Sequence, residues 1–218
     1  MPERSSRKGF SGKPRKNRKN QRQIACFMFL RIVFFESSLL LVAWVLGWVL
    51  GVPLFDAHTW NWKGVAIGLS STLPLISMFF WLLQSQWEPC QNIRRIMDVV
   101  IRPMFQEFTI LQLLIISLVA GISEEILFRG VIQGGAQTSM GAPAAIVLSA
   151  VLFGACHALT PFYFVLATFM GVYMSVVWMA TGQLLAPIIT HAVYDFLVLV
   201  WYLHYSNQRK VSALRKDG

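Results

Sequence analysis

The chain has 218 residues, of which 56% are hydrophobic and only 13% are charged. This composition is too apolar for a soluble domain of this length, so we expect an integral, multi-pass membrane protein whose solvent is the lipid bilayer. The formal net charge of +9 lies mostly at the two ends of the chain, where basic residues are expected to flank membrane spans, and we expect no nucleic-acid partner.

The N-terminal residues 1–23 are rich in Ser, Gly, Lys and Arg, and they show no apolar periodicity. We expect this basic segment to be disordered. The apolar stretch that follows extends to about residue 55, which is longer than the core of a signal peptide and predicts a retained first span. Residues 206–218 are predicted to form a basic C-terminal tail.

Six apolar stretches approach the length that a helix needs to cross about 30 Å of hydrocarbon. They lie at residues 25–50, 64–84, 108–135, 142–160, 162–180 and 184–205. All are expected to be helical, because an open strand edge would leave unpaired backbone groups in lipid. The predicted fold class is therefore all-α, a polytopic membrane helix bundle of about six transmembrane helices.

One interfacial amphipathic helix is predicted between the second and third spans. Apolar residues recur there at intervals of three and four positions from Ile93 to Phe105, and charged residues take the opposite face. Residues 24–107 would thus hold two spans and this helix, and residues 108–205 would form a core of four helices. With six spans both termini lie on one side, which the basic ends place in the cytoplasm. The compact chain favours a bacterial cell membrane.

Two carboxylates and a guanidinium occur close together in the third span. Glu125 and Arg129 are four positions apart, so they share a helix face and are expected to form an ion pair. Glu124 is rotated about 100° away and lacks that partner, which suits the work of a general acid or base. Charged side chains that persist inside a span usually face the bundle interior and mark a functional site.

Two other spans contribute polar residues to the same core. His157 ends the fourth span, and the sixth contains His191 and Asp195, which are four positions apart on one face. We expect these side chains to converge with the carboxylates of the third span in one polar pocket. Each feature alone also has a structural explanation, such as a hydrogen bond to a neighbouring backbone group. Arg31 and Glu36 in the first span are interpreted as structural.

The order Glu-Glu-x-x-x-Arg, Phe-x-x-x-His and His-x-x-x-Asp resembles the three motifs of the CAAX prenyl protease family of intramembrane glutamic endopeptidases, also called CPBP or Abi. The resemblance covers about residues 108–205. It implies hydrolysis of a peptide bond inside a helical bundle, with Glu124 and His157 activating water and with His191 and Asp195 lining the substrate carbonyl. Many members carry Asn at the position of Asp195, and a carboxylate donates a hydrogen bond to an oxyanion only when it is protonated.

Two mechanisms are open to such a site. Glu and His can deprotonate water directly, or the same groups can hold a divalent metal such as zinc. The resemblance favours the metal-free mechanism, and the three cysteines show no metal-type spacing, so no metal or other cofactor is expected. Asp195 is expected to hydrogen-bond His191 and fix its tautomer, so that the other ring nitrogen faces the substrate. The expected partners are the lipid bilayer and a membrane protein or peptide substrate.

Two other functions compete with that of an endopeptidase. Relatives of the family are associated with bacteriocin immunity and membrane scaffolding, which would make the bundle a non-enzymatic binding protein. Buried Glu and His side chains also form the proton relays of transporters. The complete set of motif positions favours the enzyme, and the lack of an internal repeat disfavours the transporter.

The predicted span boundaries conflict with the predicted site. If the third helix enters the membrane at residue 108, Glu124 lies roughly 24 Å deep by helical rise, whereas His157 lies near the face of entry. The two side chains would then be too far apart to act on one water molecule. We expect the third span to start several residues later and to run through Gln133.

Overall fold

The fold is seen in a computed structural model that describes residues 15–52 and 61–216, where all regular structure is helical. The α-helices are α1 (Arg15–Leu50), α2 (Trp62–Gln84), α3 (Glu88–Ile96), α4 (Arg102–Phe105), α5 (Ile110–Glu125), α6 (Gly134–Cys156), α7 (Pro161–Thr181) and α8 (Leu185–Lys216). Two π-helical segments, Met97–Ile101 and Ile126–Gln133, join α3 to α4 and α5 to α6.

The helices confirm the predicted all-α membrane bundle. Five stretches are long and apolar enough to cross a membrane, and they are Asn20–Leu50, Trp62–Gln84, Ile110–Cys156, Pro161–Thr181 and Leu185–His204. The third stretch is divided at Gly141, whose φ of 78° and ψ of 162° are not helical. Such a backbone is readily adopted only by glycine, and Pro143 follows without an N–H to donate. Two apolar arms therefore take the place of the third and fourth predicted spans.

This division explains how Glu124 and His157 can lie at the same depth. The first arm continues to Met140, so the predicted end of the third span at residue 135 is too early. Glu124 and His157 stand at nearly equal sequence distances on either side of Gly141, about 25 Å from it at 1.5 Å per residue. The arms pack against each other, since the Ser149 hydroxyl donates a hydrogen bond to the Phe128 carbonyl across 2.8 Å.

The ends of the chain differ from the prediction. Residues 15–23 belong to α1 and are helical rather than disordered, whereas residues 1–14 lie outside the described residues. Lys, Arg and Gln favour a helix, and extending an existing span requires no new nucleation. In the same way α8 continues through the predicted tail of residues 206–218 as far as Lys216.

The predicted amphipathic helix forms, but it is not a regular α-helix. The π-helical segment interrupts it where Pro103 cannot donate a backbone hydrogen bond. Ile93 and Phe105 are buried against the bundle. The Arg94 guanidinium donates to the carbonyls of Leu82 (2.8 Å) and Ser85 (2.7 Å), which fixes this helix to the end of α2.

The site is positioned by the packing of α5 on α8. The two helices approach closely at Gly121, where an added Cβ would lie 2.9 Å from Cβ of Ala192. A larger residue at position 121 would therefore separate the helices. This contact brings the last turn of α5, which carries Glu124 and Glu125, beside His191 on α8.

Candidate active site

The predicted ion pair between Glu125 and Arg129 is present at the junction of α5 with its π-helical extension. Arg129 Nη1 lies 3.0 Å from Glu125 Oε1, and both side chains are fully buried. Arg129 Nη2 also donates to the Gly171 carbonyl across 2.9 Å. The guanidinium thus joins the first arm to α7, and its charge is compensated within the protein.

His191 is held by Glu125 and not by Asp195 alone. Its Nδ1 lies 2.8 Å from Glu125 Oε1, the oxygen that also accepts from Arg129. An ionised carboxylate has only acceptors, so Nδ1 carries the hydrogen. The Nε2 atom lies 3.5 Å from Asp195 Oδ2. The predicted neighbourhood of Asp195 and His191 is present, but Glu125 holds the ring from its other nitrogen and so already sets its orientation.

Glu124 and His157 face each other across a short gap. Glu124 Oε2 lies 3.7 Å from His157 Nε2, a distance too long for a direct hydrogen bond. His157 Nδ1 lies 2.8 Å from the Phe153 carbonyl, which can only accept, so Nδ1 is the protonated nitrogen and Nε2 offers a lone pair. The Glu124 Oε2 atom is buried and has no hydrogen-bond partner within the described ranges.

Phe153 holds three of these polar groups in place. Its ring stacks on His157 with centroids 4.5 Å apart, and the Arg129 guanidinium carbon lies 4.6 Å from its centroid. The His191 ring packs against it in a T-shaped arrangement, with ring centroids 6.0 Å apart. Phe153 is buried, so its position is set by core packing. The first residue of the Phe-x-x-x-His motif therefore orients the site.

The six predicted residues are divided between a cavity and the layer behind it. Four of them, Glu124, His157, His191 and Asp195, line a cavity of about 880 Å³. Glu125 and Arg129 are fully buried behind this wall. The rest of the wall is mainly apolar and comes from α1, α2, the amphipathic helix, α5, α6, α7 and α8. The cavity therefore combines a compact polar centre with a large apolar surface.

The cavity is also lined by polar side chains that the interpretation of the sequence did not assign to it. Glu36 of α1 was interpreted as structural, yet it shares the cavity wall with Glu124 and Asp195. Tyr163 and Tyr194 line it as well. Glu36 could have been found from its charge inside an apolar span. No comparable signal marks Tyr163.

Residues 106–197 match the family model of Rce1-like type II CAAX prenyl endopeptidases. Over these residues the chain is similar to the CAAX protease family. The resemblance drawn from the three motifs is thereby confirmed, and all six predicted site residues lie inside the matched segment. The matched segment covers less than half of the chain and leaves out α1 with Glu36. No curated protein and no solved structure matches the chain at a significant level.

A metal site in the matched segment would require several of these polar side chains to be grouped around one point. Across residues 15–52 and 61–216, no three His, Cys, Asp or Glu side chains are grouped so that they could hold one metal ion. Glu125 is already bound to Arg129 and His191. Activity without a bound metal therefore stays a prediction.

Proposed function

We propose that the protein is an intramembrane endopeptidase that hydrolyses a peptide bond of a membrane-associated protein or peptide. The observation that supports this most directly is the pair of opposed acceptors, Glu124 Oε2 and His157 Nε2, at 3.7 Å in the cavity wall. Two acceptors at this distance repel each other unless a proton donor lies between them. One water molecule about 2.8 Å from each atom would donate a hydrogen bond to both.

In the proposed reaction this water is the nucleophile. Its oxygen attacks the carbonyl carbon of the scissile bond, and its proton passes to the Glu124–His157 pair. The tetrahedral intermediate then collapses, the C–N bond breaks, and the same pair returns the proton to the leaving amine nitrogen. The products are a carboxylic acid and an amine, so no further reactant is required.

His191 and Asp195 are proposed to act on the carbonyl oxygen. His191 Nε2 faces the cavity because Nδ1 is occupied by Glu125. When the ring carries protons on both nitrogens, the Nε2–H can donate to the developing oxyanion. Asp195, at 3.5 Å from Nε2, would keep that proton at the site until the oxyanion forms.

The apolar walls of the cavity support a membrane-associated substrate. A cavity of about 880 Å³ is in the size range of pockets that enclose a whole small ligand, and here it adjoins helices that are suited to lipid. An apolar peptide segment or a prenyl chain could pack on these walls while the scissile bond meets the polar centre. We further propose that both termini face the cytoplasm, because the ends of the chain are basic.

The experiment is cleavage by the purified protein in lipid nanodiscs. A farnesylated CAAX peptide and an unprenylated membrane-spanning peptide serve as probes, and the products are identified by mass spectrometry. The expected product is absent with Glu124→Gln and present with Glu107→Gln, which removes an exposed carboxylate away from the cavity. Cleavage that persists in Glu124→Gln contradicts the proposal, and so does the absence of any cleavage by the wild type.

A further inference from the structure

Glu36 places a third carboxylate on the wall of the cavity. It comes from α1, outside the segment that matches the CAAX proteases. Its side chain is half-buried, and its Oε2 atom is buried without a hydrogen-bond partner in the described part of the chain. A charged side chain in an apolar span is costly, and one that faces the bundle interior usually serves function.

Among the described residues Glu36 forms no salt bridge. The groups close enough to interact with it are the Ser123 hydroxyl, His191, Asp195 and Glu124. The Ser123 hydroxyl donates its hydrogen to the Val119 carbonyl across 2.7 Å. Two of the remaining groups are carboxylates, and His191 is held between Glu125 and Asp195.

Arg31 and Arg129 do not form ion pairs with Glu36 among the described residues. Arg31 lines the same cavity but is exposed, and its guanidinium carbon lies 5.7 Å from the centroid of the Phe27 ring. Arg129 is buried behind the wall and is bound to Glu125. Among the residues that the structure describes, neither arginine forms a salt bridge with Glu36. The carboxylates of Glu36, Glu124 and Asp195 therefore share one largely apolar cavity.

We propose that Glu36, together with Asp195, binds a positively charged group of the substrate, an ammonium or guanidinium near the scissile bond. The proposal rests on the proposed function for the identity of the substrate. A second observation supports it, since the Glu124 side chain on the same wall is only 9% exposed and its Oε2 has no hydrogen-bond partner among the described residues. Low-dielectric walls strengthen the attraction of a cation to such a site.

The shape of the cavity fits a lysine or arginine side chain. The apolar stem of a long basic side chain packs on hydrophobic surface while its charged end reaches a polar group. Met28, Ile32 and Phe35 line the cavity on the same helix as Glu36. A cation that reaches Glu36 would form charge-assisted hydrogen bonds that are stronger than those between neutral groups. Glu36 would thus select substrates by charge, while Glu124 and His157 act on the water.

The first test measures cleavage of two peptides in nanodiscs, one with Lys near the scissile bond and one with norleucine in its place. Glu36→Gln is expected to lower kcat/KM for the lysine peptide by roughly 10- to 100-fold, the range for loss of a hydrogen bond to a charged group. The norleucine peptide should be cleaved as before. Glu36→Asp keeps the charge and should retain part of the preference. Equal loss for both peptides, or no loss for either, overturns the proposal.

The second test does not depend on cleavage. The thermal unfolding midpoint is measured with dodecylammonium and with dodecanol, which share a chain length and differ in charge. The ammonium is expected to stabilise the wild type and Glu107→Gln more than the alcohol does, and Glu36→Gln should lose this difference. All variants are measured in the same membranes, so the partition of each probe into lipid is the same for every variant and does not affect the comparison between them. Equal stabilisation of the wild type by both probes overturns the binding of a cation by Glu36. Absence of cleavage in the first test overturns only the proposed function.

Discussion

His191 Nδ1 lies 2.8 Å from Glu125 Oε1, so the second carboxylate of the first motif orients the first residue of the third motif. The same oxygen accepts a hydrogen bond from Arg129. One buried carboxylate therefore neutralises a guanidinium and positions an imidazole at the same time. The two neighbouring glutamates therefore have different roles, since Glu125 is bound to Arg129 and His191 whereas Glu124 lines the cavity.

Loss of the Arg129 guanidinium is expected to destabilise the protein. Arg129→Ala leaves Glu125 without its cationic partner in a fully buried position and removes the bond to the Gly171 carbonyl. Breaking one side of a buried pair costs about 3–5 kcal/mol, so the thermal unfolding midpoint and the yield should fall. The exposed Arg95→Ala is the matched control and should unfold like the wild type. An Arg129→Ala protein that is stable yet inactive would instead indicate a direct catalytic role.

Glu124→Gln and His157→Ala are each expected to abolish cleavage while the protein remains folded. Neither side chain is needed to compensate a buried charge, and the 3.7 Å gap between them leaves the packing intact. Because both act on one water molecule, the double variant should be scarcely less active than either single variant. Cleavage rates and unfolding midpoints of the three variants test this. Losses that multiply in the double variant would show that the two residues act in separate steps.

Asp195→Asn is expected to retain activity. The His191 ring is oriented by Glu125, so the carboxylate of Asp195 is not needed to fix its tautomer. An amide at this position can also donate to the oxyanion, which an ionised carboxylate cannot do. Steady-state cleavage of an uncharged peptide is the measurement, since Asp195 is also proposed to bind cationic groups. Complete loss of activity with an intact fold would show that the negative charge itself is required.

Part of the site follows from the sequence by simple geometry. The spacing of Glu125 and Arg129 predicts their ion pair, because residues four positions apart meet on a helix. The convergence of Glu124 with His157 does not follow from helix geometry, and its prediction rests on polar residues that persist in apolar spans and on the resemblance to a family. Apolar length alone ends the third span too early, because the helix continues to Met140 through residues of weak hydrophobicity.

The contacts between distant helices could not be predicted. The bond between Glu125 and His191 depends on the register of α5 against α8, which is fixed by the close approach of Gly121 to Ala192. Glu36 reaches the cavity only because α1 packs along α5, and the sequence contains no signal for that pairing. The charge of Glu36 inside an apolar span therefore distinguishes this residue, but the sequence does not show that it faces the cavity.

Gly141→Ala is expected to impair both stability and cleavage. Gly141 has a φ of 78° and a ψ of 162°, and no atom lies within 4 Å of an added Cβ, so the penalty comes from the backbone and not from a clash. Such a conformation costs a non-glycine residue about 1–3 kcal/mol. Gly182→Ala is a matched control, because Gly182 also has a left-handed φ of 64° and open space around it. Both variants should unfold earlier, but only Gly141→Ala should shift the two arms and slow cleavage.

The purified protein is expected to contain no stoichiometric metal ion. Glu125 is bound to Arg129 and His191, which leaves Glu124, His157, His191 and Asp195 as the possible ligands. No three of the described side chains are grouped as one metal site, and the opposed Glu124 and His157 can activate water by proton transfer alone. The measurements are elemental analysis of active protein and cleavage after exhaustive chelation. One zinc ion per chain, or activity that chelation removes and zinc restores, would replace the glutamate mechanism with a metal-assisted one.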